Sequence, residues 1–298
     1  MTKSVDKTDV LVLGAGGQLG RELVTAAESD QRLVALTRQE LDIANTGAVR
    51  QRLASYSPQV VINAAAYTAV DAAEEDIRAS DVANADGPAV LAQSCRAMGI
   101  RLIHVSTDFV FDGRASSPYA TTAPTGPLGQ YGRSKLAGEN AVRSALAGAL
   151  IVRSSWIYSR FGNNFVKTML RLMAERNQLA VVDDQWGSPT WARDLARTLL
   201  LAASRPDVVG LYHWSDAGTC SWFEFAKAIA EEGLKLGLLQ RPVEIKPIPS
   251  SEYPTAAKRP AYSVLDTSEI EQDLGVACLP WREQLVSMLT DLREHNYA

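Results

Sequence analysis

The sequence predicts an α/β fold, a doubly wound parallel sheet with a smaller α/β region in its C-terminal half. Two patterns carry that expectation. In the first half, short unbroken apolar runs alternate with stretches of helical periodicity, as strands buried on both faces of a parallel sheet require. In the second half the alternation weakens, and the runs are set between prolines and glycines. No repeat, low-complexity tract or clean linker divides the two. A chain of 298 residues is long enough for one large domain or two modest ones.

Residues 9–13 (DVLVL) read as the first strand, followed by Gly14-Ala15-Gly16-Gly17-Gln18-Leu19-Gly20 and a helix over 21–29. Strand, glycine turn and helix in this order form the phosphate-binding unit of a Rossmann-type fold. The glycines permit the tight turn and let the backbone approach a pyrophosphate at the helix N-terminus. Their spacing is GxxGxxG (Gly14, Gly17, Gly20) rather than GxGxxG. Residues 32–36 (RLVAL) read as the second strand. Thr37 and Arg38 stand where an acid usually binds the ribose 2′-hydroxyl. Arg38 is therefore a candidate partner for a 2′-phosphate, which favours NADPH, with NADH as the alternative cofactor. Asp42, in LDIAN, either caps a helix beginning near Thr46 or reaches the adenine amine.

Residues 59–63 (QVVIN) read as the third strand and run into Ala64, Ala65, Ala66, Tyr67 and Thr68, small enough at first for a ligand to lie against the backbone. Residues 79–98 read as one long helix, with Val82, Val90, Leu91, Cys95 and Met98 at core spacing. Residues 101–105 (RLIHV) form the fourth strand and deliver Ser106, Thr107 and Asp108 to its carboxyl end, where ligands sit in open α/β sheets. Residues 112–129 hold three prolines and three glycines and read as a long functional loop. The fifth strand, 149–153, ends at Ser154-Ser155-Trp156.

Beyond it, helices are expected over 164–175, 191–203, 222–236, 267–274 and 281–293, and strands over 179–182, 210–213 and 243–248. DDQWGSPT (183–190) reads as a turn and helix cap. Residues 1–155 are assigned to a dinucleotide-binding domain, to which segments around 180–215 return. Residues 156–179 and 216–298 are assigned to a smaller substrate-binding domain.

Composition excludes several classes. A net charge of −4 gives no basic field for phosphate backbones, which argues against a nucleic-acid partner. No apolar stretch approaches the ~18 residues of a membrane span. The polar start MTKSVDKTDV does not read as a signal peptide. Cys95, Cys220 and Cys278 are far apart and form no CxxC, which fits reduced thiols and a cytoplasmic location. His104, His213 and His295 are equally scattered, and nothing proposes a metal.

Tyr131 and Lys135, four apart in QYGRSKLAGE, precede the helix formers Ala137, Glu139, Ala141 and Val142 and share one helical face. A cation beside a phenol lowers the phenol's pKa and makes it a proton donor near neutral pH. A bare YxxxK also describes a surface tyrosine beside a solvated lysine. Thr107, 24 residues earlier at a strand end on a dinucleotide-binding frame, completes a three-part constellation.

These residues resemble the extended short-chain dehydrogenase/reductase superfamily and, within it, the dTDP-4-dehydrorhamnose reductase family. The matching segments are GAGGQLG (14–20), LDI (41–43), NAAAYTAVDAAE (63–74), STDFVFDG (106–113), YGRSKLAGE (131–139), VRSSWIY (152–158), GNNFVKTMLRL (162–172), DDQWGSPT (183–190) and RPAYSVLD (259–266). The glycine motif and YxxxK carry only the superfamily; the AAAYTAVDAAE, NNFVKTMLRL and DQWGSPT runs carry the branch. The resemblance implies NADPH-dependent reduction of the C4 keto group of dTDP-4-dehydro-L-rhamnose, with Thr107, Tyr131 and Lys135 as the catalytic set. Tyr131 would donate the proton, Thr107 would hydrogen-bond the keto oxygen, and Lys135 would bind the nicotinamide ribose. It also implies cofactor contacts from Gly14, Gln18, Leu19, Asp42, Ile43, Ala65 and Ala66, and a dTDP-sugar facing Thr68, Phe109 and Trp156.

Three departures stand out. Phe109 replaces a frequent tyrosine, and Thr121 and Ala123 replace acids in the loop before Tyr131, which leaves that loop's ordering open. Some members are thought to dimerise through a magnesium held by glutamates. Glu22 fits, but Arg193 and Arg282 stand at the other places, so no bridging metal is expected and the chain is a monomer or homodimer. The alternatives are another nucleotide-sugar 4-ketoreductase or epimerase, or a non-catalytic NADP-binding regulatory subunit.

Overall fold

The structure is a computed structural model that describes residues 9–27 and 32–295. The polar N-terminal start through residue 8 and the expected end of the first helix at 28–29 lie outside the described residues. The apolar runs of the first half become β1 (Val10–Leu13), β2 (Leu33–Leu36), β3 (Val60–Asn63), β4 (Arg101–Thr107) and β5 (Leu150–Ser154). Between them run α1 (Gln18–Ala26), α2 (Thr46–Tyr56), α3 (Ile77–Asp81), α4 (Gly87–Met98) and α5 (Gln130–Ala145). The second half supplies β6 (Ile157–Tyr158), α6 (Phe165–Glu175), β7 (Gln178–Val182), β8 (Trp186–Gly187), β9 (Thr190–Trp191) and α7 (Ala192–Ala203). It continues with β10 (Gly210–Trp214), β11 (Cys220–Ser221), α8 (Trp222–Lys235), β12 (Glu244–Ile248), α9 (Ser268–Leu274) and α10 (Trp281–Glu294).

A six-stranded sheet has the order β10-β5-β4-β3-β1-β2, and every pairing in it is parallel. Successive side chains on a strand point to opposite faces, so each strand feeds two cores. Val10, Val12 and Ile62 pack with Leu23 of α1 and Leu195 and Leu199 of α7. Leu11, Leu13 and Val61 pack on the other face with Leu53 of α2 and Leu91 of α4. β1 pairs with β2 on one side and β3 on the other, which makes the end of β1 the topological switch point and opens a crevice there. The return of β10 to β5 sets the far edge of the sheet. A separate core joins α6, β7, α8 and α10 through Leu170, Val181, Phe225, Ile229 and Met288.

The single helix expected over 79–98 is broken. α3 passes into a π turn, Val82–Asp86, before α4 begins at Gly87 with Pro88 in its first turn. Proline lacks the N–H that would continue the ladder. Val82 consequently lines the crevice rather than the core, and Met98 is 40% exposed. DDQWGSPT, expected as a turn, also contributes the short strands β8 and β9. The loop over 112–129 is irregular but fastened. The Tyr119 ring stacks on Phe111 at 4.1 Å, its hydroxyl donates to Asp112 at 2.8 Å, and Thr121 donates to Glu269 at 2.9 Å. The Thr121 hydroxyl supplies an ordering contact that the sequence reading had left open.

Candidate active site

The crevice at the end of β1 is a cleft of about 360 Å³. Gly14 sits there at φ +86°, and a Cβ on it would lie 2.6 Å from the Ala65 amide nitrogen. A Cβ on Gly20 would lie 2.2 Å from the Gly14 carbonyl oxygen. Backbone therefore meets backbone at both positions, and only glycine fits. Gly17 caps α1 without a side-chain hydrogen bond, so the first-turn amides face outwards for an anion. Gly14, Gly17, Arg38, Asp42, Ile43, Ala65 and Ala66, all expected at the cofactor, line this cleft. The glycine cradle and the exposed Arg38 at its rim fit a dinucleotide with a 2′-phosphate.

Three expected cofactor residues are placed otherwise. Leu19 is buried in the core beneath the sheet, so only its amide can serve a ligand. Gly20 is spent on the close approach to Gly14. The Gln18 side chain accepts a hydrogen bond from Asn164 at 2.9 Å, which ties the turn to the second half of the chain. Asp42 does not cap α2: Asn45 accepts the Ala48 amide instead, and Asp42 closes a local turn onto Ala44 at 3.0 Å. Glu40, not singled out in the sequence, accepts both the Thr37 amide and hydroxyl at 2.8 Å and fixes the turn that bears Arg38.

Asn84 was also missed, because periodicity gives no sign of a π turn. Its side chain is fully buried, pairs with both backbone groups of Tyr67, and donates to the Ser134 hydroxyl at 3.0 Å. It thereby joins the cleft wall to α5. Gly138 is the one trace in the sequence: a Cβ there would lie 2.0 Å from the Asn84 carbonyl.

Thr107, Tyr131 and Lys135 do come together. Glu74 accepts the Gln130 amide at 2.6 Å and so caps α5 from a distance. Gly132 allows the helix to lie against the Phe109 carbonyl, 2.2 Å from where a Cβ would be. The Phe109 and Tyr131 rings meet edge to face at 5.5 Å. Burial pushes the Tyr131 phenol up to about 12; a hydrogen bond with Thr107 opposes this and the Asp108 charge adds to it. The Thr107 hydroxyl also donates to Asp108 at 3.0 Å. Burial raises Asp108 to about 6 against restraining hydrogen bonds from Ser263 and Thr107.

Lys135 is 2% exposed and its ammonium donates to the Val105 carbonyl at 2.7 Å. Burial pulls it down to about 8, while Glu139 acts in the opposite direction. The sequence argument that Lys135 lowers the Tyr131 pKa is thus corrected. The ammonium is turned onto a carbonyl, and desolvation sets the phenol instead. His104, held well below its usual 6.5 by burial and by Lys135, contacts Asn63 at 3.0 Å.

On the side facing the second core, Thr68 is exposed. Trp156 adopts the left-handed region at φ 45°, uncommon outside glycine. Its ring stacks on Trp222 at 3.5 Å with 5° between planes, and its other side abuts Gly187, where a Cβ would come within 2.5 Å. Trp222 had been read only as the start of a helix. Glu22 accepts from Ser159 at 2.6 Å and pairs with Arg193 at 2.9 Å, and Arg193 also meets Asp291 at 2.6 Å. Arg282 is not part of this group; it pairs with Glu231 and Glu232.

A glycine-lined dinucleotide cleft at the switch point of a parallel sheet, with Thr, Tyr and Lys gathered at the neighbouring strand end, is the working arrangement of NAD(P)-dependent oxidoreductases of the short-chain dehydrogenase/reductase class, and the fold and site place the protein there. Comparison with known proteins narrows the class. The family model described as RmlD substrate binding domain matches residues 8–294. The dTDP-4-dehydrorhamnose reductase of Escherichia coli is 38% identical over 292 residues, covering 95% of this chain and 98% of its own. Spore coat polysaccharide biosynthesis protein SpsK of Bacillus subtilis is 40% identical over 286 residues, with the same two shares covered. A crystal structure of dTDP-4-dehydrorhamnose reductase from Bacillus anthracis in complex with NADP superposes with a TM-score of 0.90 at 36% identity, covering 96% of this chain and 99% of that one. The chain belongs to the RmlD family of dTDP-4-dehydrorhamnose reductases. Among the described residues, no helix is long and apolar enough to cross a membrane.

Proposed function

We propose that the protein reduces the C4 keto group of dTDP-4-dehydro-L-rhamnose with NADPH, giving dTDP-L-rhamnose for surface polysaccharide. The observation that carries this reading is the Tyr131 phenol, half-buried beside Thr107 at the strand end next to the cofactor cleft; the names of the E. coli and B. anthracis relatives support the substrate and cofactor. The bound nicotinamide cofactor supplies the hydride. Tyr131, with a pKa near 12, stays protonated through the neutral range and gives its proton to the keto oxygen as charge develops there. Thr107 hydrogen-bonds that oxygen and orients the phenol. Lys135 would hold the nicotinamide ribose from the face of α5 that bears Tyr131.

Gly14 and Gly17 admit the pyrophosphate, and Gln18, Leu19 and Gly20 contribute through the amides of the first turn of α1. Arg38 is assigned to the 2′-phosphate, Asp42 and Ile43 to the adenosine, and Ala65 and Ala66 to the cleft floor. Thr68, Phe109 and Trp156 are assigned to the sugar nucleotide. We assign residues 1–155, with the return through β10, to the dinucleotide domain and the α6–α8–α10 core to the substrate domain. The protein is assigned to the cytoplasm, as a monomer or homodimer.

The test is NADPH oxidation by the purified protein with dTDP-4-keto-L-rhamnose, beside the UDP analogue and no sugar. Rapid turnover only with the dTDP sugar is expected. Tight NADPH binding with no turnover of any keto sugar would replace the reductase by a cofactor-binding regulatory protein.

A further inference from the structure

We infer that Glu139 is a positioning residue of the active site: its buried carboxylate, one turn from Lys135 on α5 and clamped by Arg153 and Ser106, fixes the helix face that bears Lys135 and supplies the anion on that face. This deepens the reductase reading and rests on it for its kinetic readout. Glu139 lies one turn beyond Lys135 on α5 and is fully buried. Its Oε1 accepts from the Ser106 hydroxyl at 2.5 Å and from Arg153 Nε at 2.9 Å, and its Oε2 accepts from a second Arg153 nitrogen at 2.7 Å. Arg153, 2% exposed, lies over the Phe111 ring at 5.0 Å.

Desolvating such a pair costs about as much as its attraction returns, so an apolar pair of similar volume would serve the fold as well. The placement supplies a reason to keep it. Ser106 immediately precedes Thr107 on β4, Glu139 follows Lys135 by four on α5, and Arg153 precedes Trp156 by three at the end of β5. One carboxylate thus ties together the strand end bearing Thr107, the helix bearing Tyr131 and Lys135, and the strand leading to Trp156.

The charges around Lys135 point the same way. On its own helix stand Tyr131 and Glu139; from β4 come the Val105 carbonyl and His104, which burial keeps neutral. Asp108, beyond the end of β4, acts on the Tyr131 phenol. Arg153 of β5 lies behind Glu139. Glu139 is therefore the carboxylate that favours the ammonium, against a burial that draws Lys135 down to about 8. Glu139→Gln removes that anion and leaves the Arg153 cation uncompensated.

The experiment is an NMR titration of the full chain labelled with [13Cε]lysine, with and without NADPH, the Lys135 signal assigned from Lys135→Met. In Glu139→Gln the Lys135 midpoint should fall by about one pH unit, and the alkaline limb of kcat should move by the same amount. Because that variant leaves Arg153 unpaired and can fold poorly, Glu139→Gln/Arg153→Met is measured as well. It should melt close to the wild type and show a smaller fall of the midpoint, because the Arg153 cation leaves with the anion, the nearer of the two charges to Lys135 along α5. Variants that melt lower while midpoint and limb stay put would reduce Glu139 to a structural role and overturn the inference. If the wild type turns over no keto sugar, the reductase reading fails, while the Lys135 midpoint still decides the role of Glu139.

Discussion

The cofactor cleft lies at the carboxyl ends of β1, β2 and β3 and the catalytic wall at the end of neighbouring β4, yet the two are made of different materials. The cleft is backbone held at contact distance: Gly14 against Ala65, and Gly20 against Gly14. The wall is a set of polar and ionisable side chains, Thr107, Asp108, Tyr131, Lys135 and Glu139, and burial has moved the pKa values of Asp108, Tyr131 and Lys135. A backbone surface fails when an atom is added, because the peptide groups on either side have nowhere to go. A buried polar wall fails when a proton or a charge is changed, because low dielectric magnifies each one. The two halves of the site should therefore break under opposite kinds of substitution.

The largest effect is expected at the wall. Tyr131→Phe keeps the ring contact with Phe109 and removes only the proton, so turnover should fall on the order of 10²-fold or more while NADPH affinity stays as in the wild type. Steady-state rates beside a fluorescence titration of NADPH check this; near-normal turnover would take Tyr131 out of the mechanism. At the cleft, Gly20→Ala adds one methyl group 2.2 Å from a carbonyl oxygen. It should cost about 3 kcal/mol of stability in urea unfolding, together with most NADPH affinity. A variant with unchanged midpoint and affinity would show that the cradle is softer than its geometry states.

Much of the cleft was legible in the sequence for the same reason. A backbone site needs glycine and small residues at fixed spacing, and Gly14, Gly17, Gly20, Ala65 and Ala66 declare it locally. The wall was legible only in outline. Tyr131 and Lys135 advertise themselves by their spacing, but the phenol's pKa depends on how deeply the fold buries it, which no spacing records. Asn84 and Trp222 escaped because each acts across the fold, one through a π turn against Ser134, the other by stacking on Trp156. Asp291, which does reach Arg193, gave no local signal.

Asp108 sharpens the comparison through pH. Its folded pKa is about 6 against 3.8 in the free chain, so between those values the folded state holds a proton that the unfolded state has released. Stability is therefore full below pH 3.8 and is lost as pH rises through 6. Asp108→Asn removes the ionisation while keeping an acceptor for Thr107. It should be more stable than the wild type at pH 7 by roughly 3 kcal/mol and converge with it near pH 4. Urea midpoints across that range measure it. Parallel curves at every pH would mean that Asp108 ionises in the folded protein as it does in water.

The smallest effect is expected where the cleft borrows a charge. Arg38 is exposed on a turn that Glu40 fixes through Thr37, so its removal should leave the turn, and stability, within about 0.5 kcal/mol. An exposed guanidinium bound to phosphate acts through solvent and is screened by salt. Arg38→Ala should thus weaken NADPH by about 10-fold at low ionic strength, a loss of about 1.4 kcal/mol, with NADH binding unchanged and the gap narrowing as salt is added. Titrations of both cofactors at two salt concentrations decide it. Equal losses for NADPH and NADH, insensitive to salt, would mean that Arg38 shapes the cleft instead of reading the 2′-phosphate. The backbone cradle would then extend to its rim with no cation that reads the ligand.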